Sequence, residues 1–488
     1  MAGHTWCIGR ACLLAVVCLI LGLQCRQDPS PDGNAPPDGN GTPDGNGTAD
    51  GQDNGTGDTP TVILDGEYYS TDRPHLNGIA YYVAPNGNDA NPGTLDSPWA
   101  TIQHAAATMA PGNVVYLREG VYYESVMTAG DGTPSGDIVF AAYSGEQPIL
   151  DGTGVDANNG FIVAHDYVVL QSLAIRNWPE NAVWMENAAY PYLIDCEVYD
   201  VGDGVGGTDG THDFVLDHVE AHHFDLYGFD FSPGNSDCYN GVFWQCVAHT
   251  GRDPEQNVDG FALGHGTQHG FTFYRCHTYG VYDGFDISSR DVLLHRCSAH
   301  SCGNAGFKIW QDDVQMVNCI SYENYNANLE LDWDGSAGTV TVQNCTFAGS
   351  DVYNVWVEGA GDTLRMYNTI VAGGRGNGLV FEQRDVSRYE GDYNLFQHET
   401  ARALVVGYED EFSVQQLDAW RTYSGQDAHS LAVSSLSEIF ADPASFDFHL
   451  AAGSLATDQG TSEGAPGDDY EGTVRPQGSG IDIGAFER

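Results

Sequence analysis

The chain reads as an all-β solenoid of short parallel strands, and three observations predict it. Glycine is abundant, with 61 of 488 residues, and no long helical periodicity accompanies it. Two apolar anchors recur together every 21 to 30 residues through the middle of the chain. Period-two alternation around those anchors sends successive side chains to opposite faces, as in a strand.

The first anchor is an apolar-x-x-Cys strand. It ends at Cys196, Cys246, Cys276, Cys297, Cys319 and Cys345, and the equivalent place is read as Ser172, His218 and Thr369 in the flanking copies. The second anchor runs through Val183, Val205, Phe229, Phe261, Phe285, Phe307, Leu329, Val355 and Leu379. Two anchors that drift in step mean coils stacked along an axis, about 4.8 Å per coil. That is the pattern of a right-handed parallel β-helix. The stacked cysteines read as small structural hydrophobes. Cys238 and Cys302 fall in apparent loops, with a disulfide left open.

The elements follow in order. Met1 to Cys25 holds an apolar run too short to span a membrane comfortably, and reads as an export signal. Cys25 closes it in the manner of a bacterial lipoprotein signal. A membrane tether through Cys25 is one expectation, and plain secretion is the other; both place the protein outside the cell or on its surface. Residues 26–60 repeat Pro-Asp-Gly-Asn and carry too little apolar surface for a core, so they read as a disordered linker. The β-helix is expected over 61–395. A short capping helix, Trp99 to Met109, is expected to start at Ser97-Pro98 and cover the open end. Residues 396–488 read as a C-terminal capping segment. A monomer is expected.

Charge narrows the partners. There are 68 carboxylates against 18 lysines and arginines, for a formal charge of −50. Such a surface excludes nucleic acid and anionic membranes as direct partners. An acidic polymer would need a cation as a bridge. The scattered histidines, among them His265, His269, His277 and His295, lack ligand spacing and read as polar surface.

Lysine occurs once, at Lys308. Arginine cannot accept a proton, whereas a lysine with a lowered pKa can. Aligning the coils places Asp230, Ala262, Asp286, Lys308 and Glu330 at one position after the core anchor. Tyr227, Asp259, Asp283, Ala305 and Ala327 share the position before the glycine or asparagine. Asp259, Asp283 and Asp286 are therefore expected on adjacent coils. Three neighbouring carboxylates repel one another unless a cation or proton intervenes, and an all-oxygen set suits Ca²⁺.

Asn257-Val-Asp-Gly-Phe261, Asp283-Gly-Phe-Asp286 and Gly306-Phe-Lys308 together resemble the signature of family 9 polysaccharide lyases, the pectate-lyase type. The resemblance implies that Asp259, Asp283 and Asp286 bind Ca²⁺ and that Lys308 is the base. It implies an anionic polysaccharide, a uronate polymer, cleaved by β-elimination. Tyr282 stands where the family has a further aspartate, and Asp230, Glu330, water or substrate are the candidates to replace it. Trp310, two residues past the lysine, is a candidate sugar platform. Two other readings stay open: a polygalacturonase-like hydrolase, on Asn257-Val-Asp259 and Gly264-His-Gly266, and a non-catalytic carbohydrate-binding or adhesive β-helix.

Overall fold

Each coil contributes strands to three tracks that run the length of the molecule. The computed structural model describes residues 74–488 apart from 232–237, 265–266, 332–337, 360–362, 384 and 408. The expected signal and linker, Cys25 included, lie outside the described residues, as do His265 and Gly266.

The first track is a 13-stranded sheet that begins at Ala80–Val83 and ends at Tyr389–Asp392. Pairing along it is parallel, for example Leu193↔Leu216 and Leu216↔Phe243. A second track includes Val247–His249, His277–Tyr279 and Ser298–His300. A third includes Asp259–Leu263, Phe285–Ile287, Ala305–Ile309 and Ala327–Leu331. The architecture is the expected right-handed parallel β-helix.

The phenylalanine anchor is in register at every step from Val183 to Leu379. Phe229, Phe261, Phe285 and Phe307 stack with centroids 4.6 to 4.8 Å apart. Phe243 and Phe273 stack on the facing track and meet Phe261 edge to face. Offset and edge-on aromatic contacts add to the area term, so this column holds adjacent coils in one register.

The cysteine anchor needs a correction at two places. Leu193 pairs with Leu170 and Ile194 with Asp217, so the flanking equivalents of Cys196 are Leu173 and Val219, not Ser172 and His218. Both are buried hydrophobes. Ser172 and His218 instead occupy the corner between tracks, with φ of 58° and 52°. Asp195, Gln245, Arg275 and Arg296 take the same left-handed corner. One residue at each corner turns the chain, and the next side chain enters the core. The six stacked cysteines and Cys302 are free buried thiols, and Cys238 is buried as well.

The ends also differ from expectation. The N-terminal helix is only Ile102–Ala106, and Thr101 caps it by accepting from His104 N. The Glu124 carboxylate accepts the first-turn amides of Ile102 and Gln103 at 2.8 and 2.9 Å. Trp99 is drawn out of the helix by a bridge to Val83. Parallel pairing runs past residue 395, to Leu431–Val433. The helix Leu417–Ser424 closes that end, burying Trp420 in the main core. The expected end cap from Asp442 onward instead packs against the side of the coils. Corner asparagines cause this: Asn318, Asn344 and Asn368 donate to backbone carbonyls of Asp468, Asp482 and Thr461.

His295 is not surface; it is 2% exposed. Burial, aided by Arg296 and Arg275, pushes its imidazole down to about 3, and burial beside His300 pushes His277 down to about 4. Both rings stay neutral in the folded chain while the unfolded chain takes up protons below its ordinary value near 6.5. Stability should therefore fall as pH drops from about 6.5 to 4, by on the order of 3 kcal/mol per histidine at the bottom of that window. Thermal melts of wild type and His295→Gln across this range measure it. The variant should lose part of the acid slope.

Candidate active site

The site grows out of the third track. Cα register runs Asp230↔Ala262↔Asp286↔Lys308↔Glu330↔Trp356, one residue per coil. Each follows the core anchor, so the side chain leaves the opposite face of the strand. Asp286 is half-buried here.

Asp259 and Asp283 stand two residues before the phenylalanine and are buried, at 1% and 0% exposure. Period-two alternation sets a residue two before the phenylalanine on the phenylalanine's own face, in keeping with that burial. The backbone takes up part of each carboxylate. Asp259 Oδ1 accepts Asp283 N at 3.1 Å. Asp283 Oδ1 accepts Ala305 N at 2.9 Å and Asn304 Nδ2 at 2.7 Å. Asn257 Nδ2 donates to Asp259 Oδ2 at 3.2 Å. Each aspartate thus pins the coil that follows it.

Asp259, Asp283 and Asp286 each offer an oxygen within 4.8 Å of the others, as the alignment required. Asp230, two coils from Asp286, is not part of that grouping. Burial, with repulsion from Asp283 and Asp286, pushes Asp259 up to about 8. In the metal-free protein the trio therefore retains a proton near neutrality. The donor set is three oxygens of adaptable geometry with no imidazole or thiolate, which fits Ca²⁺.

Lys308 completes the patch. Its Nζ lies 3.9 Å from Asp283 Oδ2 and 3.9 Å from Glu330 Oε1. The sequence offered Glu330 as a spare metal ligand; the structure sets it beside the amine instead. Glu330 is buried, and Asn326 Nδ2 donates to its Oε2 at 3.3 Å. Trp310 links the two halves. Its ring lies 4.6 Å from Lys308 Nζ, and its Nε1 donates to Asp286 Oδ1 at 2.6 Å. Tyr282 is half-buried at the departure from the family pattern, and burial and the Asp283 charge push its phenol up. Sequence reasoning did not single out Asn304 or Asn326; short polar residues in turns leave no signal that separates support from ordinary turn chemistry.

Fold and site together define a right-handed parallel β-helix with an acidic trio and a lysine on its outer wall. Residues 81–294 match the family described as "Pel9A-like, right handed beta helix region", and residues 259–416 match "Right handed beta helix region". A pectate lyase L of Paenibacillus polymyxa (strain SC2) is 28% identical over 305 residues, covering 54% of this chain and 62% of that protein. Pectate lyase PEL9 of Emericella nidulans is 27% identical over 220 residues, covering 44% of this chain and 50% of that protein. The chain thus spans less than two thirds of the length of either relative. The crystal structure of pectate lyase Pel9A superposes with a TM-score of 0.56 at 17% identity, over 85% of this chain and 97% of that one, a likeness of fold. The chain is similar to the family 9, pectate-lyase-type right-handed β-helix proteins.

Proposed function

We propose that the chain is a calcium-dependent polysaccharide lyase that cleaves a pectate-like uronate polymer by β-elimination, with Lys308 as the base. One observation carries the reading: the sole lysine has its Nζ 3.9 Å from a member of the three-aspartate group. The pectate lyases among its relatives support the same class.

A calcium ion held by Asp259, Asp283 and Asp286 would supply positive charge opposite the uronate carboxylate, acidifying the C5–H and bridging two acidic partners. Everything else falls to the chain's own residues. Lys308 Nζ takes the C5 proton. The released electron pair forms the C4=C5 double bond, the C4–O bond breaks, and the departing oxygen takes up a proton. No water is consumed. Lys308 must start as the amine. Asp283 faces both the trio and Nζ, so neutralising that carboxylate removes one of the two anions that favour the ammonium. Trp310 and Glu330 hold Nζ in place, since a base must lie within hydrogen-bond reach of the proton it takes. An exported protein, tethered through Cys25 or released, would meet such a polymer outside the cell.

Product identity tests the proposal. Polygalacturonate is digested with calcium present, and the fragments are weighed by mass spectrometry. Elimination gives one unsaturated end per cut. Fragments heavier by one water at every cut would mean hydrolysis and refute the lyase reading. An intact polymer, with other uronates equally untouched, would leave a binding protein.

A further inference from the structure

We infer that Trp184 and Trp356 are stacking platforms for the uronate chain, one on each side of the aspartate–lysine site. This rests on the lyase reading above and adds the substrate contacts that reading lacks. Both tryptophans lie in the same axial row as Asp286 and Lys308. Trp184 pairs with Gly206, and Gly206 with Asp230, which puts Trp184 four coils before Asp286, about 19 Å along the axis. Trp356 follows Glu330, two coils beyond Lys308, about 10 Å away.

Each ring is built in rather than loosely exposed. A Cβ placed on Gly206 would meet Trp184 Cζ3 at 2.6 Å, so the missing side chain lets the indole lie down along the wall. The Trp356 ring stacks on Tyr353 with centroids 4.8 Å apart, and its Nε1 donates to Glu382 Oε2 at 3.0 Å. Both remain half-buried. Between Trp184 and Asp286 the row holds Gly206, which lies under the indole, then Asp230, then Ala262, which adds only a methyl. Charge argues the same way. A wall this acidic repels a polyanion wherever no cation intervenes, so binding away from the trio must use contacts that ignore charge. The C–H face of a pyranose on an indole is such a contact. Trp310 is already engaged with Lys308 and Asp286.

The test uses uronate fragments of increasing length with wild type, Trp184→Ala, Trp356→Ala and the rescue variants Trp184→Tyr and Trp356→Tyr. Losing a stack should raise KM about five- to tenfold on fragments long enough to reach it. The penalty should appear at shorter lengths for Trp356→Ala than for Trp184→Ala, and tyrosine should restore most of it. A KM unchanged at every length, or raised equally at all lengths, would overturn the platforms and leave the lyase reading standing. Calorimetric binding of the same fragments to Lys308→Arg, with and without each tryptophan, separates the two ideas. Tryptophan-dependent affinity in a protein whose wild type cleaves no uronate would sink the lyase reading and keep the platforms. Affinity that ignores both tryptophans would sink the platforms.

Discussion

Lys308→Arg should abolish elimination while leaving the fold and net charge intact. The arginine keeps a cation beside Asp283 and Glu330, where Nζ now sits 3.9 Å from each. It preserves a partner for the Trp310 face. What it cannot do is accept a proton near neutral pH. General-base groups contribute about 10²- to 10⁴-fold, so the initial rate of unsaturated product should fall by at least about a hundredfold. The melting temperature should change little, because the replaced side chain is partly exposed and its charge is kept. A variant that retains a tenth of the wild-type rate would remove Lys308 as the base. A variant that loses the fold would show it in the melt before any kinetic conclusion is drawn.

Asp283→Asn is the second large effect, and its design uses the two jobs of that carboxylate. The asparagine Oδ1 can still accept from Ala305 N, which the wild-type Oδ1 holds at 2.9 Å. The charge that the trio needs for a hard cation is lost. Calcium affinity, measured by calorimetry, should fall about a hundredfold or more. The effect on stability should depend on calcium. Wild type carries three mutually repelling carboxylates, with Asp259 pushed up to about 8 by burial and its neighbours. Without calcium the variant should melt no lower than wild type, since one repulsive charge is gone. With saturating calcium wild type should rise in melting temperature by mass action and the variant should not. Equal calcium affinity in the two proteins would show that the trio is only a set of coil-pinning carboxylates.

How much of this was legible in the chain depended on whether a signal repeats. The phenylalanine anchor repeats with one large side chain per coil, and its register from Val183 to Leu379 could be counted directly. The same count placed Asp259, then Asp283 with Asp286, then Lys308 on three successive coils. The cysteine anchor failed at Ser172 and His218 because the corner residue has no side-chain preference: serine, aspartate, histidine, glutamine and arginine all occupy that left-handed turn. Without a repeated residue type, a slip of one position costs nothing in the alignment. Burial of Asp259 and Asp283 was present in the spacing, because each stands two residues before a core phenylalanine and period-two alternation gives the two the same face. Glu330 was visible as an acid one coil past the lysine, but only side-chain direction distinguishes a metal ligand from a partner of the amine. The tail from Asp442 was misplaced for a similar reason: nothing local says that corner asparagines on distant coils will receive it.

Diffraction from Lys308→Arg crystals soaked with calcium and a uronate oligomer puts the central claim to its most direct trial. The expected map has one ion touching Asp259, Asp283 and Asp286, a sugar carboxylate on its open side, and a C5 carbon aimed at the residue 308 side chain. An ion that settles away from those three aspartates, or an oligomer whose C5 faces away from residue 308, would contradict it.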